Sequence, residues 1–200
     1  FRSLCESLPR LEKRYGRPDF IVFSGDVAKT GSAIEYQHAT NFFEKLMGVT
    51  GITKDKLFIV PGNHDVDRQK NIGLSRVLNT RVESDKLFGG NPVPQIASRM
   101  NNFKEWYELF FENKREFSTT TTIQNPVEIK INGLEIFIWQ INSAAFSFDD
   151  HDQGKLIIGE RCIEESLRLQ PKKPGQISIA VTHHPLSWLS EIERTSIIAK

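Results

Sequence analysis

The chain reads as a mixed α/β fold (α+β mixed), on three observations. Two apolar runs flank a helical pattern between residues 19 and 63, an alternating pair of segments surrounds Asn132-Gly133, and a third apolar run, "GQISIAVTHHP", follows a helical stretch at 160–169. At 200 residues with 38% hydrophobic content, the chain is long enough for one sizeable domain with a real core.

Taken in order, the first residues read as an amphipathic helix with Leu4, Leu8 and Leu11 on one stripe. Phe1 begins inside that pattern and "SEIERTSIIAK" stops without a capping signal, so a single domain over 1–200, truncated at both termini, is expected. "DFIVFSGD" is short, rich in Phe, Ile and Val, and closed by Gly25, which predicts a buried strand. Over 34–48 the period becomes helical through Ala39, Phe42, Phe43, Leu46 and Met47, with Gly48 as the expected stop. "KLFIVPGN" is then a second buried strand, and strand, helix and parallel strand form a right-handed crossover.

Residues 66–126 are polar and read as a helical insertion, with Met100, Phe103, Trp106, Tyr107, Phe110 and Phe111 on one face. "PVEIKINGLEIFIWQIN" is a hairpin, since Asn-Gly accepts the positive φ of a type I′ turn. Residues 160–169 are helical, the third buried strand ends in two histidines, and 186–199 is a further helix.

Composition announces no particular class of partner. Twenty-six basic against twenty-five acidic residues leave no global field for nucleic acid or membrane, so any anion recognition must be local. Only Cys5 and Cys162 occur, without a spaced framework, which predicts reduced, inert thiols and a cytoplasmic location. No window spans a bilayer and no signal peptide opens the chain, so no membrane partner is expected.

The chemistry gathers at the strand ends. Three apolar strands finish in "SGD", "PGNHD" and "THHP", and in an open α/β sheet ligands bind outside the carboxyl ends of the strands. Endings that share one edge bring Asp26, Asn63, His64, Asp65, His183 and His184 together. Carboxylate, amide oxygen and imidazole suit Mn, Fe or Zn better than a thiolate-seeking metal. A carboxylate can also bridge two cations, and cations about 3.5–4 Å apart serve phosphate ester hydrolysis best.

In order and spacing, "GDVAKTG" (25–31), "GNHD" (62–65) and "HHP" (183–185) resemble the G-D, G-N-H-D/E and H-x-P blocks of the calcineurin-like metallophosphoesterases. The resemblance spans roughly residues 19–185. It implies a two-sheet β-sandwich flanked by helices, and hydrolysis of a phosphate ester, phosphodiester ahead of monoester, by a metal-bound hydroxide. It further implies two divalent ions (Mn, Fe, Ni or Zn) in the complete protein. Asp26 matches the aspartate that bridges both metals, Asn63 and His183 match ligands of the second, and His64 matches the histidine that contacts the substrate phosphate and assists the leaving group. The family's D-x-H block before G-D and its G-H-x-H block after H-x-P have no counterpart between Phe1 and Lys200, so at most one well-ligated site is expected in these residues.

Each residue also has a simpler reading. Asp26 and the Asn63-His64-Asp65 group can close turns, but three blocks together are not explained that way. Along an extended segment one of the two histidine rings faces the crevice; His183 takes the ligand role, and His184 an outer-shell or substrate contact. In "FDDHD" (148–152), Asp149 and His151 read as a solvated acidic loop rather than a substitute ligand pair, and His38 reads as a surface residue. Arg68, Lys70, Arg76 and Arg81 are a solvated helix face or, on the sharper reading, an anion-steering rim for a phosphodiester, nucleotide or nucleic acid, with Arg68 as the substrate contact. Two rivals to the enzyme stand beside it. One is a sensor or interaction module that kept the fold without the chemistry; the other is an effector domain of a larger bacterial signalling or defence protein, carrying a C-terminal NTPase or other module.

Overall fold

The computed structural model describes residues 2–71, 78–88 and 94–198; Arg76 and the side chain of Cys5 lie outside the described residues. In chain order the elements are α1 (Arg2–Tyr15), β1 (Ile21–Phe23), α2 (Ala33–Thr50), β2 (Leu57–Ile59), α3 (Arg81–Phe88), α4 (Pro94–Arg99), α5 (Asn101–Phe110), β3 (Val127–Ile131), β4 (Leu134–Gln140), α6 (Glu160–Leu169), β5 (Ile177–Val181) and α7 (Glu191–Ile198). The mixed α/β expectation holds, with two small sheets and helices around them. No helix among the described residues is long and apolar enough to cross a membrane.

β1 and β2 pair in parallel, Val22 opposite Phe58, as the crossover predicts. The β3–β4 hairpin turns at Asn132 (φ +50°) and Gly133 (φ +83°), the two positive values a type I′ turn needs. β5 joins β4 in parallel, with Ile138 opposite Ile179, so the second sheet has the order β3-β4-β5.

Strand alternation explains the layering. Leu57 and Ile59 of β2 point into a helical core with Phe43 of α2 and Phe103, Tyr107 and Phe110 of α5. Their neighbours Phe58 and Val60 point the other way, onto Ile129, Ile136, Ile138 and Val181 of the second sheet. β2 is thus buried on both faces and ties helices to sheet. A third core, around Leu156, Ile157, Ile158 and Phe146, lies beneath α6 and the 186–190 turn.

Three expectations are corrected. α2 does not stop at Gly48; it runs to Thr50 and closes at Gly51 (φ +72°), whose N–H donates to Met47 O at 2.8 Å. A glycine inside a helix costs only about 1 kcal/mol against alanine, so a stop requires the cap geometry as well. Neither β1 nor β5 is a buried strand: among the described residues each borders a single strand, which leaves Val22 39% and Ile177 40% exposed. Finally, the three polar strand ends do not share one sheet edge: β1 and β2 belong to one sheet and β5 to the other.

Candidate metal centre

The chain turns immediately after β1. Gly25 has φ +109° and Asp26 has φ +56°, a left-handed conformation that aspartate tolerates better than most side chains. Val60 N–H donates to Phe23 O at 3.1 Å, so the loops following β1 and β2 leave side by side. No room is left between them: a Cβ on Gly62 would lie 2.2 Å from Asp26 Oδ1, and one on Gly25 would lie 2.4 Å from His183 Nδ1. Only a hydrogen fits at either position.

His183 reaches this point from the end of β5, in the other sheet. Its Nδ1 is 2.6 Å from Ser24 O, and a carbonyl can only accept, so Nδ1 carries the proton and Nε2 of the neutral ring is an acceptor. That Nε2 lies 3.1 Å from Asn63 Oδ1 and 3.6 Å from Asp26 Oδ1. In this tautomer Nε2 faces two acceptor oxygens with no proton between it and either of them, an arrangement that a cation would relieve.

Neighbouring donors around an ion with bonds of ~2.1 Å lie roughly 3–3.5 Å apart, so both the spacing and the oxygen-nitrogen set fit a divalent cation such as Mn, Fe or Zn. The Asp26 side chain is 40% exposed and that of His183 20%, so the cluster opens to solvent. No group of three or more His, Cys, Asp or Glu gathers among the described residues; the cluster holds two such residues and an amide.

The neighbouring residues divide by what they touch. His64 donates its backbone N–H to Asp26 Oδ1 at 3.2 Å, and its Nδ1 is 2.8 Å from Lys29 O. The same carbonyl argument places the proton on Nδ1 and leaves Nε2 as the ring's second proton-accepting atom. His184 is only 4% exposed, with its Nδ1 3.1 Å from Ser143 Oγ and its ring edge-on to His183 at 4.6 Å. Burial, and then the neighbouring His183, push its pKa down to about 4, so it is neutral at pH 7. Its Nε2 is buried without a partner, which places His184 behind His183 rather than in the open crevice.

Arg68 bonds Asp150 Oδ1 through Nη1 at 3.0 Å, while its Nε and Nη2 are buried. Lys70 is held by Asp67 and Ser98 O, and Arg81 by Glu160 and Ser196. The described part of the basic stretch is thus bound to local partners, not gathered around Asp26, Asn63 and His183. Asp149 and His151 pair with each other at 3.6 Å on an exposed loop, His38 is exposed, and Cys162 is buried.

Sequence reasoning placed Asp65 in the cluster but gave it no role. It is 1% exposed and accepts N–H bonds from Val27 (3.0 Å), Ala28 (2.8 Å) and Gly62 (2.8 Å). Burial outweighs these donors and pushes its pKa up to about 6. Its partners lie up to 38 residues earlier in the chain, so no local pattern could have shown them. A cavity of about 790 Å³ beside Tyr107, Arg115 and β3 is lined by none of the residues of this centre, so volume does not mark the chemistry here.

Comparison with known proteins adds two findings. The calcineurin-like phosphoesterase family matches residues 1–197. The uncharacterized metallophosphoesterase-like protein YydB of Bacillus subtilis (strain 168) is 22% identical over 186 residues, which cover 90% of this chain. The chain spans 37% of the length of that relative.

Proposed function

Because this chain belongs to the calcineurin-like phosphoesterase family, we propose that it carries the catalytic centre of a metal-dependent phosphoesterase, with a phosphodiester as the preferred substrate. The observation that carries the proposal is the approach of Asn63 Oδ1 and Asp26 Oδ1 to His183 Nε2, at 3.1 and 3.6 Å, with the ring's proton held at Nδ1 by the Ser24 carbonyl.

These three residues would hold the ion. When bound, a divalent cation would supply Lewis-acid polarisation of the phosphoryl group and lower the pKa of water. The Ser24 carbonyl keeps the imidazole of His183 in the tautomer that offers Nε2. His64, held by Lys29 O at Nδ1 and by Asp26 at its backbone N–H, would take up a proton at Nε2 and pass it to the departing ester oxygen. Every role is taken by a side chain on a short loop locked by backbone contacts, which limits the reorganisation needed at the moment of reaction.

The test is turnover of a phosphodiester and a phosphomonoester by the full-length protein in Mn²⁺ or Ni²⁺. Asp26→Ala should lower kcat/KM at least about 100-fold through loss of the ion, and His64→Ala about 100-fold or more with Mn²⁺ still bound. Undiminished turnover in both variants rejects the proposal.

A further inference from the structure

We infer that Asp65 is the positioning residue of this centre: its buried carboxylate draws the loop bearing Asp26 and the loop bearing Asn63 onto one anchor and so sets the spacing of the two ligands. The inference rests on the metal-centre reading above and goes further, giving a role to a residue that touches neither metal nor substrate.

The geometry is specific to a carboxylate. Oδ1 accepts from Ala28 N–H at 2.8 Å and from the Tyr36 hydroxyl at 3.2 Å, while Oδ2 accepts from Val27 N–H at 3.0 Å and Gly62 N–H at 2.8 Å. All four partners are donors, and only an acceptor on both oxygens satisfies them. Two of them, the consecutive N–H groups of Val27 and Ala28, follow directly on the left-handed Asp26, whose positive φ turns them inward together. The third precedes Asn63 by one residue. One buried anion therefore joins the chain just after the first ligand to the chain just before the second, and both oxygens are used in doing so.

Asp65 is in turn braced from outside the centre. Tyr36 lies in α2, is 2% exposed, and stacks on Trp106 of α5 with ring centroids 5.3 Å apart and planes 19° apart. Trp106 donates its indole N–H to Thr40 Oγ1 at 2.9 Å, which fixes the stack. A path of packed and hydrogen-bonded groups thus runs from the helices of the main core to the ligand loops, and Asp65 is where it reaches them.

Replacing the acid with its amide keeps size and shape but turns an NH₂ group toward at least one backbone N–H. In full-length protein, Asp65→Asn should weaken Mn²⁺ binding, read by titration calorimetry, about 10–100-fold, and should broaden the EPR spectrum of the bound ion. Saturating Mn²⁺ should recover part of kcat. Tyr36→Phe, which keeps the ring stack and removes one donor, should weaken binding in the same direction by a few-fold. Ile138→Val, a buried change in the second sheet, serves as a control that lowers stability without changing Mn²⁺ affinity. Affinity within twofold of wild type in Asp65→Asn, or in Tyr36→Phe if the first variant does not fold, overturns the positioning role while leaving the metal centre standing. Failure of the wild-type protein to bind Mn²⁺ removes both.

Discussion

Gly62 lies where two loops press together, and the absent side chain is what allows them to. A methyl group there would sit 2.2 Å from Asp26 Oδ1 and 2.4 Å from the Asp26 backbone nitrogen, closer than any nonbonded contact permits. Gly62→Ala should therefore push Asp26 out of reach of His183 and Asn63, costing about 2–3 kcal/mol of stability as well as the ion, a loss that chemical denaturation and Mn²⁺ titration would read independently. Gly25 is under a second constraint, since its positive φ disfavours any side chain even before the clash with His183. The sequence displayed the residue types of the centre, because Asp26, Asn63 and His183 each follow an apolar run that ends abruptly. It did not display the role of Asp65, whose neighbours in sequence make it look like one more turn residue. Nor did it display the burial of His184, since alternation along an extended segment says which ring turns inward but not what lies beneath it.

Between elements, a concentrated polar contact lies at Glu193 in α7. It is 1% exposed, accepts the Ser84 hydroxyl of α3 at 2.5 Å, and accepts the N–H groups of Ile158 (2.7 Å) and Gly159 (3.0 Å), just ahead of α6. One carboxylate thereby gathers three helices. Burial raises its pKa against the pull of those donors. A raised folded pKa means that the folded chain holds this proton more tightly than the unfolded chain. The stabilisation is then fully present below the ordinary glutamate range of about 4.3 and is lost as pH rises through the folded value. Urea melts of wild type and Glu193→Gln from pH 4 upward should show the wild-type advantage shrinking as pH rises; a constant difference would mean that folding does not shift the Glu193 pKa. Helices and hairpin were legible in the sequence because period and turn chemistry are local properties. The neighbours of β5 were not, because "ISIAV" has the same apolar letters whether it lies at the middle or at the edge of a sheet.

Across the whole molecule, the centre depends on both sheets at once: Asp26 and Asn63 follow β1 and β2, and His183 follows β5. On the proposed reading, an ion held among them would stabilise the arrangement of one sheet on the other. At a hundredfold excess over Kd, binding to the folded state alone adds about 2.7 kcal/mol, which for a domain of this size corresponds to a rise in Tm of roughly 5–10 °C. Calorimetric melting with and without Mn²⁺ should show that rise in wild type and not in Asn63→Ala. The wide separation of the ligands along the chain also bears on how the protein is made. His183 meets Asn63 across 120 residues and Ser24 across 159, so the loop-closure entropy of that span must be met before these groups come together. On the proposed reading, a nascent chain that has not yet extended to His183 would lack this arm, and affinity for the ion would be a late milestone of maturation rather than a seed for it.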